Sequence, residues 1–125
     1  MGKQLVELVL PRLARPLNRQ LKRFRSGQIS EEEFTNDFDC LLRQQHAWLA
    51  QRGVSESRAA VAIHGAVLVL SSEGLRAEAE ENGQPLEIVE YEAVREAAAD
   101  VAENFGIDER KAYRAIARIV ARYTD

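Results

Sequence analysis

The chain is poor in the residues on which small proteins build chemistry. A single cysteine, Cys40, excludes an intramolecular disulfide and fits a reducing cytoplasm. The only histidines are His46 and His64. Cys40 and His46 lie six apart on one helical stretch, hence on different faces, and make no local metal pair. His64 falls inside an apolar run and reads as an imidazole satisfied by a backbone carbonyl or a side chain. The seven glycines are never grouped into a phosphate-cradling loop, and no Gly-x-Ser-x-Gly elbow occurs. Glu92, Glu96 and Asp100 recur every four residues, but the Glu-x-x-His partner of a di-iron bundle is missing. With Arg95 beside them they read as a solvated face. The sole tryptophan, Trp48, reads as core or interface. Neither a catalytic centre nor a cofactor or metal is expected.

Long hydrophobic runs are equally scarce. The longest, Ala59–Leu70, is too short to cross a bilayer, which takes about 20 residues. Leu5–Leu10 is interrupted by Glu7 and lacks a following small-residue cleavage site, so neither a leader nor a membrane partner is expected.

What is present predicts helices. The 125 residues suit one domain, and Ala59–Leu70 is its natural centre. Apolar on nearly every side, this run predicts a central helix buried throughout, started by Ser55 as cap with Glu56 in the first turn. A buried strand over Val67–Leu70 is the rival reading. Upstream, Leu10, Leu13, Leu17, Leu21 and Phe24 form a helical stripe, with a break or kink expected near Leu10 because of Pro11 and Pro16. Ser30 and Glu33 spell a capping box for a helix running to about Gln51. Leu75–Glu81 offers a short helix, Asn82–Pro85 a loop, and Leu86–Phe105 and Asp108–Tyr123 two further helices. The expected fold is all-α, a compact single domain over residues 1–125 with five or six helices around a buried central one.

Charge is unevenly spread. Residues 1–26 hold seven Lys/Arg against one acid; residues 27–100 hold five against fifteen; residues 101–125 hold five against four. Residues 1–26 thus form a basic, proline-interrupted helix in which Arg12, Arg15 and Arg19 make a candidate second basic surface. That stripe reads equally as a solvated face, or as one neutralised by the acids that follow it.

The last segment carries the one functional constellation. Val101–Ile119 places small Ala102 at a helix approach, Phe105 and Ile107 around Gly106, and Ala112, Ile116 and Ile119 inward on the next helix. Lys111, Arg114, Arg118 and Arg122 follow at spacings of three, four and four. The pair over residues 86–123 resembles the helix-turn-helix motif of DNA-binding regulators. The resemblance implies a second helix in the major groove of double-stranded DNA, those four cations as contacts, and a homodimer presenting two such helices. Asp108 and Glu109, which put negative charge at the head of that helix, depart from the pattern, as does the small Ala112. The alternative is a helical protein-protein interaction module with no nucleic-acid activity. No family is identified for residues 1–100.

Overall fold

The structure, a computed structural model, describes residues 4–124. Every regular element among them is a helix: α1 (Leu5–Arg25), α2 (Glu31–Ala50), α3 (Glu56–Leu70), α4 (Ser72–Asn82), α5 (Leu86–Phe105) and α6 (Glu109–Tyr123). The chain is all-α, and Val67–Leu70 is helix rather than strand.

The starts of these helices follow from local chemistry. Ser30 Oγ accepts the Glu33 amide at 3.1 Å, and Glu33 Oε1 accepts the Ser30 amide at 3.2 Å, completing the capping box of α2. Ser55 caps α3 through the Arg58 amide, and Asp108 Oδ1 caps α6 through the Lys111 amide at 3.1 Å.

Two expectations are met only in part. First, α1 is one helix through both Pro11 and Pro16, with no break near Leu10. Each proline removes the donor for the carbonyl four residues earlier, at Glu7 and Arg12. Pro11 is exposed and Pro16 half-buried, positions that leave the freed carbonyls within reach of water. Second, the apolar run is not buried throughout. Ala59, Ala60, Ala62, Ile63, Gly65 and Ala66 are buried, whereas Val67–Leu70 are only half-buried. The chain bends by 57° between α3 and α4, which leaves the last turn of α3 at the edge of the packing. Among the described residues no single helix is long and apolar enough to cross a membrane.

α3 packs against each of the other five helices and divides the interior in two. On one side Val9, Leu13 and Leu17 of α1 and Leu41 and Leu49 of α2 meet Ala59, Ile63 and Ala66. On the other, Val94, Ala98 and Val101 of α5 and Ala112, Ile116 and Val120 of α6 gather around Ala60. Alanine and glycine dominate the buried part of α3 because neighbours crowd it from both sides. At Gly65 the crowding is extreme: a Cβ there would lie 2.8 Å from both Cδ1 and Cγ2 of Ile119 on α6. Only glycine permits that approach. The first and last helices also meet, since the Tyr123 hydroxyl donates to Glu7 Oε1 at 2.7 Å.

Candidate functional site

α5 ends at Phe105 and α6 begins at Glu109, so three residues turn the chain. Gly106 takes the left-handed conformation (φ 66°) and its amide donates to the Ala102 carbonyl at 3.0 Å. Glycine adopts that backbone geometry at little cost, and the bond satisfies a carbonyl at the end of α5. Ile107 is half-buried against the second core cluster. Asp108, a departure from the motif in the sequence, is the helix cap.

From there the period of α6 sorts its side chains. Ala112, Ile116 and Val120, four apart, are fully or nearly buried, while Lys111, Arg114, Arg118 and Arg122 are all exposed. The stripe is therefore one water-facing side of a helix whose other sides are held by α3 and α5. Arg122 also leans on the ring of Tyr123, 5.6 Å from its centroid.

The stripe does not stand alone. Beside it, a cleft of about 320 Å³ between α5 and α6 is lined by Tyr91, Arg95, Arg110, Tyr113 and Arg114, with Glu109 as its one acid. The Tyr91 and Tyr113 rings meet edge to face at 5.7 Å. Tyr91 is 51% exposed, an unusual position for so large a ring. Sequence reasoning does not single out Tyr91, Arg110 or Tyr113, and takes Arg95 only as part of a solvated face. Their signal is split between two helices: Tyr91 and Arg95 four apart on α5, and Arg110, Tyr113 and Arg114 within about a turn of α6.

The second basic surface separates into two parts. Arg12 donates through Nε to Oε1 of Gln45 at 2.8 Å, and its guanidinium lies 4.1 Å from the Trp48 ring centroid. Arg52 covers the same ring at 4.0 Å. Gln45, 3% exposed, is buried with that hydrogen bond to satisfy it. Arg12 thus helps tie α1 to α2. Arg15 and Arg19, exposed as Arg12 is, instead line an open cleft of about 510 Å³ with Lys22 and Arg25. The free positive charge of α1 is concentrated in its C-terminal half.

A third feature collects both histidines. A cleft of about 600 Å³ over α3, between α2 and α5, is lined by His46, His64, Asp39, Glu96, Asp100 and Phe105 among others. His46 stacks on Phe105 with centroids 5.1 Å apart. His64 Nδ1 lies 2.9 Å from the Ala60 carbonyl; a carbonyl only accepts, so Nδ1 is the donor. Burial holds the His46 pKa below the ordinary imidazole value; nearby His64 adds to the effect, and Glu56 opposes it. Among the described residues no group of three or more His, Cys, Asp or Glu is placed to hold a metal ion.

Comparison of the chain with protein-family models, with curated proteins and with solved structures found no match.

Proposed function

We propose that the chain is a non-enzymatic nucleic-acid-binding protein, a small regulator in which α5 and α6 act as a helix-turn-helix pair and α6 is the recognition helix. The observation that carries this reading is the exposed row Lys111, Arg114, Arg118 and Arg122, flanked by Arg95, Arg110 and the two tyrosines. Cations at successive turns meet phosphates or guanine edges, and an exposed aromatic beside them offers a sugar or base a flat apolar surface. Asp108 opposes the reading less than its charge suggests, because its carboxylate is turned onto the Lys111 amide. In this reading the protein is cytoplasmic, binds double-stranded DNA as a homodimer, and uses Arg15 and Arg19 as an accessory phosphate surface.

The test is a fluorescence-polarisation titration against mixed duplex fragments at two salt concentrations. Affinity should fall steeply with salt. Changing Arg114 and Arg118 together to Ala should leave the thermal midpoint near that of wild type and weaken binding. The slope of log affinity against log salt should fall by roughly 0.9 for each phosphate that the variant no longer neutralises. Absence of salt-sensitive binding by wild type at low ionic strength would end this reading.

The second reading is a helical protein-protein interaction module. It is favoured by Ile88, 45% exposed, which lies three residues before Tyr91 and thus on the same side of α5. A partner that buries these two residues would be released on changing Ile88 to Ser, with duplex affinity unaffected.

A further inference from the structure

One large cleft is used by neither reading as a site, although Lys111 in its lining belongs to the basic row of α6. It has a volume of about 630 Å³ and lies between the first turn of α1, the first two turns of α3 and the side of α6 that runs from Lys111 to Ile119. Leu5, Val61, Ile107 and Ile119 contribute apolar walls, and Ala115 forms part of the α6 side. Its volume falls within the range of pockets that hold small organic ligands, roughly 300–1,000 Å³, and like them it is mainly apolar with a few polar groups.

The charged groups here are all of one sign. Arg58 of α3 and Lys111 of α6, both exposed, line the cleft together with Ser57. Among the described residues no carboxylate lines it, although acids outnumber bases in the chain, 20 to 17. By contrast, the cleft that holds the histidines carries three carboxylates, Asp39, Glu96 and Asp100. The first turns of α3 and α6 add the partial positive charge of two 15-residue helices, a contribution secondary to the two side-chain cations. An apolar body therefore finds walls, and a negative head finds two cations at the opening.

We infer that this cleft is a binding site for a small amphipathic carboxylate, an anion on an alkyl or aryl body, held with its body against Val61 and Ile119 and its head between Arg58 and Lys111. Lys111 also belongs to the stripe of α6, so a bound carboxylate draws on one of the cations assigned to nucleic acid. The site itself does not depend on that assignment, and it is tested on the free protein.

The probe is decanoate below its micellar concentration, followed by isothermal titration calorimetry, with decanol as the neutral counterpart and decylamine as the cationic one. Decanoate should bind saturably, one per chain, and raise the thermal midpoint; decanol and decylamine should bind more weakly. Arg58→Glu, and the milder Arg58→Gln, should weaken decanoate binding by about tenfold or more, as expected when a charge-assisted hydrogen bond is removed. Ala115→Phe should fill the cleft and abolish binding while circular dichroism shows the helices intact. The inference is overturned if decanoate does not bind, if decanol binds as tightly, or if the folded Arg58→Gln and Ala115→Phe proteins bind decanoate like wild type. None of these outcomes bears on duplex affinity, so failure here leaves the nucleic-acid reading where it stood.

Discussion

Single residues set the tightest limits, and Gly65 is the clearest case. Alanine there would gain about 1 kcal/mol of helix propensity. Against that stands a Cβ placed 2.8 Å from Ile119 Cγ2, an atom that a β-branched side chain cannot swing away cheaply. Overpacking of this kind costs about 1–3 kcal/mol, so it wins. Gly65→Ala should lower stability by about 1 kcal/mol or more in urea melts, and adding Ile119→Ala should cost less than the two single changes together. His46 sets a limit of another sort. Its pKa is lowered in the folded state, so the unfolded chain binds the proton more readily. Stability from this group is fully present above the ordinary value of 6.5 and is lost as pH falls through it toward the lower folded value. Melts between about pH 7 and pH 5, above most carboxylate titration, should show that fall in wild type and a flatter profile in His46→Gln. Residues whose role is local were legible in the sequence. Ser30 with Glu33, and Gly106, act on neighbours within a few positions, and the sequence displays them together. Gly65, Gln45 and Tyr91 were not legible, because Ile119, Arg12 and Tyr113 approach them from other helices.

Among the elements, α1 departs most from its sequence. Proline inside a helix costs about 3 kcal/mol, and two of them argued for a break. The apolar stripe outweighed that cost: Val6, Val9, Leu13 and Leu17 are all buried, and burying each such side chain stabilises by about 1.5–3 kcal/mol. Propensity is a local term and packing a collective one, so a long well-matched face overrides two poor residues. Pro11→Ala should accordingly stabilise the protein. The restored amide can reach the Glu7 carbonyl, while the looser unfolded chain takes back about 0.4–1 kcal/mol. A net gain of about 2 kcal/mol or a little more in thermal melts is expected; a decrease would mean that α1 needs the proline for its path. In α6 the exposed row was visible from the sequence but its flank was not. Periodicity reveals which residues share a side of one helix, whereas a groove between α5 and α6 depends on how two helices meet.

At the scale of the whole molecule, α3 belongs to both core clusters, with Ile63 in one and Ala60 in the other. Neither cluster can lose α3 and survive, so the two should unfold together. Trp48 and Tyr123 pack against the first cluster and Tyr113 against the second, so in a Tyr123→Phe protein tryptophan fluorescence and tyrosine near-ultraviolet dichroism report the two clusters separately. Their denaturation midpoints should coincide. Ile63→Asp, which buries an unpaired carboxylate, should shift both by the same amount and cost about 4 kcal/mol or more. Separate midpoints would show two independently stable halves.

The hydroxyl of Tyr123 on Glu7 has a bearing on the order of assembly. During synthesis α1, α2 and α3 leave the ribosome long before α6, so contacts of the first cluster can begin to form before Ile119 and Tyr123 complete it. The Ala60 side of α3 then stands open until α5 and α6 arrive, and the hydrogen bond that closes last joins residues 116 apart in sequence. Closing so long a loop costs little more than closing one half its length, because the entropy grows only with the logarithm of length. What the nascent chain bears is an interval of exposure, during which the small residues of α3 offer less apolar surface to strangers than larger ones would. The composition that lets the finished helices approach closely thus also limits the apolar surface that the unfinished protein exposes.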